Sequence, residues 1–187
     1  MMERINRENN AALIKRDVIY VNRAILVAWA IINFILSAAY LIEVIKGDRT
    51  PMYYGMFALI LWVPLGVSFF IYKKLPDNRN LRYIMAAAYF VMYTFVMTTG
   101  NTLLVFVYIL PMSAMLVLYH QPSLMLGYGI ATLALNSGMI IWWLLRNEVE
   151  DSGIKDLEIQ MAVLILYFGC AYLTAKLYDK RYKANVN

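Results

Sequence analysis

The side chains able to perform acid–base, nucleophilic or metal chemistry are few in this sequence. There is one histidine, His120, and one cysteine, Cys170. A metal or haem site needs several histidine, cysteine or carboxylate ligands at matching positions, and no second histidine and no cysteine pair is present. The sequence also lacks a phosphate-binding glycine loop, a His-Glu-x-x-His motif and a Gly-x-Ser-x-Gly motif. We therefore predict a protein that is not an enzyme and that has no metal and no cofactor.

Both single residues have structural interpretations. His120 is followed by Gln121 and Pro122, a sequence typical of a turn, and we expect it at the inner edge of a membrane. We expect Cys170, inside an apolar stretch, to be a small buried side chain.

Uncharged polar side chains inside apolar stretches are a second source of chemistry. They are costly in hydrocarbon, so they mark either contacts between helices or a binding path. In the first apolar stretch, a stripe within about 60° on one helix face is formed by Asn22, Asn33, Ser37 and Tyr40. Such groups suit helix packing or a pocket for a small, weakly polar ligand, whereas an ion path or proton relay would need buried carboxylates.

The elements that carry these residues are apolar stretches of membrane-spanning length. Hydrophobic residues make up 62% of the 187 residues and charged residues 16%, against roughly 45–50% and about 25% in soluble domains. A window of about 19 residues is enough to cross about 30 Å of hydrocarbon. It predicts six spans: 20–45, 53–72, 82–99, 102–120, 122–145 and 157–178. The predicted fold class is an all-α membrane protein, a six-transmembrane-helix bundle.

The distribution of lysine and arginine predicts the orientation, because short basic loops stay in the cytoplasm. With both termini cytoplasmic, 13 of the 17 basic residues lie on the inner side. We expect a cytoplasmic segment 1–19, a transmembrane domain 20–178 and, in 179–187, a cytoplasmic tail or the start of an output helix. The net charge of +5 is mostly this asymmetry, so we expect no nucleic-acid partner.

This orientation predicts a ligand pocket in the outer half of the membrane domain. A small ligand needs a concave, mostly apolar site with a few converging polar groups. Seven candidate residues lie at that depth: Tyr40, Glu43, Thr98, Asn101, Tyr108, Trp142 and Gln160. The alternative is that these side chains satisfy each other or lie in the aromatic belt of the membrane interface.

Two prolines and a row of small residues are predicted to shape the helices. Pro64 and Pro111 lie inside spans two and four, where a proline kinks the helix and frees a carbonyl. Either neighbouring helices bond to these turns, or the bends open a cavity and flex during signalling. Span five is predicted to make a close helix contact, within the monomer or in a dimer. Its small-residue row is Gly127, Ala131, Ala134 and Gly138.

Several short motifs along residues 18–183 resemble one family. They are Val21-Asn22-Arg23, Lys46-Gly47-Asp48-Arg49-Thr50, Leu81-Arg82-Tyr83-Ile84, Val105-Phe106-Val107-Tyr108-Ile109-Leu110-Pro111 and Leu157-Glu158-Ile159-Gln160-Met161-Ala162. Together they resemble the N-terminal membrane regions of clostridial methyl-accepting chemotaxis proteins and of similarly built diguanylate cyclases. The resemblance implies a multi-span sensor in the bacterial cell membrane that feeds a cytoplasmic signalling domain and works as a homodimer. It carries over no ligand residues.

Three functional hypotheses from different classes follow. The first is the sensor or signal-input domain of a chemoreceptor-like protein, which binds a small molecule or senses membrane lipid and transmits through its last helix. The alternatives are a small six-helix transporter or channel, and an assembly partner for another membrane protein. No signalling hairpin and no GGDEF sequence is present, so we expect either the sensor domain of a longer receptor or a small stand-alone relative.

Overall fold

Every element in the described part of the chain is helical. The structure is a computed structural model that describes residues 2–100, 102–146 and 151–186. Its α-helices are α1 (Met2–Lys46), α2 (Pro51–Lys74), α3 (Leu81–Thr99), α4 (Ile109–Leu116), α5 (Pro122–Leu145) and α6 (Asp151–Val186). Short 3₁₀ helices, Leu103–Tyr108 and Val117–Tyr119, flank α4. The predicted all-α class is confirmed.

Five of these helices are long and apolar enough to cross a membrane. They are the stretches Ala12–Lys46, Pro51–Lys74, Leu81–Thr99, Pro122–Leu145 and Gly153–Ala184. Large apolar side chains point outward along them, with Phe34 and Leu166 each 69% exposed, which hydrocarbon favours and water does not. By length and composition the chain is a multi-pass membrane protein. The predicted fourth span corresponds to a shorter apolar segment, Leu104–Tyr119.

The chain divides into two units, residues 1–92 and 93–185. In the first unit, a tight turn reverses the chain between α1 and α2. Gly47 adopts a left-handed conformation with φ +85°, which glycine tolerates because it has no Cβ. Thr50 Oγ1 then accepts a hydrogen bond from the backbone N–H of Tyr53 at 3.2 Å, and Pro51 occupies the first turn of α2. These are favourable residues for starting a helix.

The polar stripe predicted on α1 faces α2 and the loop that follows α2. Asn22 Nδ2 donates to the carbonyls of Pro76 and Asn78, at 3.0 and 3.2 Å. Asn33 Nδ2 donates to the Leu61 carbonyl at 2.7 Å. Further along, Trp62 Nε1 donates to Ser37 Oγ at 3.0 Å. Within the first unit, these residues therefore act in helix packing, the first of the two interpretations given above.

The turn preceding Pro64 receives one of these bonds. Pro64 has no N–H to offer the Ile60 carbonyl, and its ring disturbs the preceding turn. α2 nevertheless continues as one helix to Lys74. Asn33 supplies a donor to Leu61, in that turn, from α1. A polar side chain of a neighbouring helix thus bonds to an interrupted turn, as membrane helices require.

In the second unit, the small-residue row of α5 makes no close contact within the chain at Gly127 or Gly138, and a contact of this row in a dimer stays a prediction. A Cβ added at Gly127 or Gly138 would meet no atom within 4 Å. Gly129 is the close-packed glycine instead, because its Cβ would lie 3.0 Å from Phe168 of α6. The expectation for Cys170 was also wrong, since its side chain is exposed rather than buried.

Candidate functional site

The second unit is organised around one face of α6. At about 100° per residue, a stripe about 100° wide contains the buried residues Leu157, Gln160, Leu164, Phe168, Ala171 and Ala175. Tyr167, Tyr178 and Tyr182 fall within the same stripe. α6 therefore presents a single face to the rest of the unit, and polar or aromatic side chains contact it at three levels.

Near the start of α6, a buried amide network joins three helices. Asn136 of α5 donates from Nδ2 to Tyr93 Oη of α3 at 2.8 Å, and to the Thr132 carbonyl at 2.7 Å. Its Oδ1 accepts from Gln160 Nε2 of α6 at 2.7 Å. Both amide protons and the carbonyl of Asn136 are thereby bonded. All three side chains are buried, so within the second unit this network links the part of α3 that begins at Tyr93 to α5 and α6.

At the middle of α6, Tyr167 bonds to the turn that contains Pro111. The Tyr167 hydroxyl donates to the Leu110 carbonyl at 2.9 Å and lies 3.1 Å from Ser113 Oγ. Ser113 Oγ also lies 2.8 Å from the Ile109 carbonyl. The chain changes from 3₁₀ to α-helix at residue 109, two residues before the proline. The turn that contains Pro111 is therefore hydrogen-bonded directly to α6.

Near the end of α6, the only histidine of the chain packs on two tyrosines. The His120 ring stacks on Tyr178, with centroids 5.3 Å apart, and is tilted on Tyr182 at 5.8 Å. His120 occupies the turn between the 3₁₀ helix and α5 with φ 51°. This left-handed conformation is uncommon for a residue other than glycine. The predicted turn is therefore present. The His120 ring also contacts α6 at Tyr178 and Tyr182, where the helix becomes polar.

Of the seven candidate pocket residues, Tyr40 and Glu43 belong to the first unit. Tyr40 packs on Phe57 and Tyr53, with ring centroids 4.1 and 6.1 Å away. Glu43 pairs with Arg49 at 3.4 Å, and Arg49 in turn lies over the Tyr53 ring. These contacts describe a small cluster at the turn between α1 and α2.

The other candidates have separate surroundings in the second unit. Gln160 belongs to the amide network. Thr98 is exposed and donates within its own helix, to the Thr94 and Phe95 carbonyls. Trp142 is exposed beneath the Arg146 guanidinium, 4.1 Å from its ring centroid. Tyr108 is half-buried. Asn101 lies outside the described residues, and the outer pocket stays a prediction.

Sequence reasoning missed the partners that complete the α6 contacts. These partners are Tyr93, Ser113 and Tyr167. Their residue types alone do not distinguish them from ordinary core or membrane-interface residues. Tyr93 and Tyr167 lie on different helices from Asn136 and Pro111, so no spacing within one helix could have paired them. Within the described residues, no group of three or more histidine, cysteine or acidic side chains is placed to hold a metal ion.

Comparison of the chain with protein-family models, with curated proteins and with solved structures gives no match.

Proposed function

We propose that the chain is the signal-input domain of a bacterial chemoreceptor-like membrane protein, and that α6 carries the output. The observation that supports this proposal is the arrangement of α6. It is one unbroken helix of 36 residues, about 54 Å long at about 1.5 Å per residue. Its single contact face is held at three levels by the rest of the second unit.

An unbroken helix is suited to transmission because it moves as one rigid element. The three contacts are of different kinds: an amide network at Gln160, a hydroxyl bond from Tyr167 to the Pro111 turn, and ring packing on Tyr178 and Tyr182. A ligand or lipid that changes the conformation of the Pro111 turn would shift the position of α6. The family resemblance of the sequence favours the same function.

Six spans with both termini cytoplasmic are part of this proposal. The segment Leu103–Tyr119 includes nine residues of 3₁₀ helix and eight of α-helix. At about 2.0 and about 1.5 Å per residue it reaches about 30 Å, the thickness of the hydrocarbon core. Its short length in residues is therefore compatible with a full span.

The end of α6 supports an output helix in the cytoplasm. After Tyr178 the helix continues through a polar stretch to Val186. Lys183 Nζ bonds to Asp179 Oδ2 at 2.7 Å, an i,i+4 pair that favours helix in water. The basic residues of this stretch favour the cytoplasmic side of a membrane.

The proposal is tested by joining the full chain, in continuous helical register after Val186, to a cytoplasmic reporter kinase. We expect insertion of one to four alanines at the junction to make the basal output rise and fall with helical phase, since each residue rotates the output by about 100°. An output that ignores the length of the insert, in a protein that folds and inserts normally, would refute transmission through α6.

Variants at the end of α6 provide the second arm of this experiment. His120→Gly keeps the left-handed turn available and removes the ring that packs on Tyr178 and Tyr182. We expect it to shift basal output. Leu177→Ala is the matched control, because Leu177 neighbours Tyr178 but is 63% exposed, and it should leave the output unchanged. Equal effects of the two variants would contradict a specific role for the ring contact.

A further inference from the structure

The first unit contains an apolar groove between α1 and α2. Its volume is about 490 Å³, within the roughly 300–1,000 Å³ typical of sites for small molecules. Its walls are formed mainly by Leu26, Val27, Ala30, Leu65, Phe69 and Trp62. Trp62 Nε1 is bonded to Ser37, so the indole's polar atom is satisfied. The groove therefore offers a hydrocarbon-like wall along most of its length.

Gly66 leaves the groove open. A Cβ added to Gly66 would meet no atom within 4 Å, although the residue lines the groove. A larger side chain at this position would occupy the space that a bound molecule needs. The lining residues of α2 run from Trp62 to Tyr72, which is about 15 Å at about 1.5 Å per residue. That length equals half of the roughly 30 Å hydrocarbon core.

Positive charge lies at one end of the groove only. Arg23 of α1 and Tyr72 of α2 line this end. Lys73 Nζ lies 5.0 Å from the centroid of the Phe69 ring, which is itself part of the wall. Within the described chain, no carboxylate pairs with Arg23. The groove is apolar and about as long as one membrane leaflet is thick, which suits an acyl chain. The unpaired guanidinium at its end suits the phosphate of the same lipid.

We propose that this groove binds one anionic phospholipid, with an acyl chain along Gly66 and Leu65 and the phosphate at Arg23. The guanidinium is suited to phosphate because its planar N–H groups bond two oxygens at once. Tyr72 is placed at the same end, where an aromatic residue with a polar tip favours the headgroup level. The site is independent of the signalling function proposed above.

The test uses the full chain in vesicles, with Trp62 as the only tryptophan. Trp29, Trp142 and Trp143 are replaced by phenylalanine, and quenching of Trp62 is measured with brominated phosphatidylglycerol or brominated phosphatidylcholine in dioleoylphosphatidylcholine. Both lipids carry a phosphate, but the choline cation of phosphatidylcholine offsets its charge beside Arg23. We therefore expect an apparent binding constant about tenfold higher for the phosphatidylglycerol, a ratio that corresponds to about 1.4 kcal/mol. Equal quenching by the two lipids would overturn the proposal.

Two pairs of variants separate the site from general effects. Arg23→Gln should lower the ratio to about one, whereas Arg16→Gln, an exposed cation on the same helix, should retain it. Gly66→Leu should reduce quenching by both lipids because it fills the groove. Gly55→Leu, at another open position of α2, should not. If Arg16→Gln lowered the preference for phosphatidylglycerol as much as Arg23→Gln, the preference would come from the surface potential. If Gly66→Leu left quenching unchanged, the lipid would not bind in the groove. Either result overturns the proposal.

Discussion

The amide network at Asn136 should hold a measurable part of the stability of the second unit. Asn136→Ala removes two bonds to other helices, to Tyr93 at 2.8 Å and to Gln160 at 2.7 Å, and one bond within α5. Interhelical hydrogen bonds in membranes average about 0.6 kcal/mol each. The two bonds therefore account for about 1.2 kcal/mol.

Removal of the Asn136 amide also takes a hydrogen-bond partner away from groups that stay buried. Gln160 Nε2 and Tyr93 Oη lose a partner in a site that water does not reach, which costs about 1–3 kcal/mol. The higher helix propensity of alanine offsets about 0.5 kcal/mol. We expect Asn136→Ala to lower the free energy of unfolding by about 2–4 kcal/mol. Tyr93→Phe, which removes a single hydroxyl from the network, should lower it by about 1 kcal/mol.

The assay is unfolding of the purified chain in mixed micelles by increasing mole fractions of a denaturing detergent, followed by tryptophan fluorescence and helical circular dichroism. Thr98→Val is the matched control, because Thr98 is exposed and bonds only within its own helix. It should change the free energy of unfolding by less than about 0.5 kcal/mol. If Asn136→Ala were as mild as Thr98→Val, the network would not hold the helices together.

Three further predictions concern packing, acid sensitivity and topology. Gly129→Leu should destabilise the chain by about 1–3 kcal/mol through overpacking against Phe168, whereas Gly127→Leu, where the added Cβ meets nothing within 4 Å, should fold normally in the same detergent assay. A hydrogen bond from Lys15, 3.1 Å away, holds the pKa of Asp77 below its usual value. The stabilising effect of this bond is present above the usual aspartate pKa of about 3.9 and is lost as the pH falls through the folded pKa. Hydrogen exchange of the loop after α2 should therefore increase in acid in the native chain and not in Asp77→Asn. A cysteine at position 78 should resist labelling from outside intact cells and one at position 152 should accept it; labelling of position 78 from outside would refute cytoplasmic termini.

The architecture of the chain was predictable because hydrocarbon imposes it. Long apolar stretches have no alternative to helix in a membrane, so five of the six predicted spans correspond to long helices, and the fourth corresponds to the shorter segment Leu104–Tyr119. The polar stripe of α1 was also predictable, since a polar group in an apolar helix must find a partner on a neighbour. Asn33 and Ser37 have such partners on α2.

What sequence did not predict depends on three-dimensional pairing. The small residues Gly127 and Gly138 form a regular row, yet the close approach occurs at Gly129, which lies off that row. The row is defined by residue size alone, whereas packing depends on which face of α5 meets Phe168. Membrane depth alone also does not determine the surroundings of a side chain. Thr98 and Gln160 share a predicted depth, but one bonds to its own helix and the other belongs to a buried network.

The turns that contain the two prolines have different hydrogen-bond partners. The turn before Pro64 is bonded by Asn33, within a helix that stays regular on both sides. At Pro111 the helix type itself changes, and the bond comes from Tyr167 of α6. The segment contains both 3₁₀ and α hydrogen bonds, and mid-helix 3₁₀ stretches often mark hinges at which the two patterns exchange. Because the Tyr167 hydroxyl is attached to the Leu110 carbonyl, such an exchange would move the acceptor that α6 holds. Of the two prolines, Pro111 is therefore the one whose turn is bonded directly to α6.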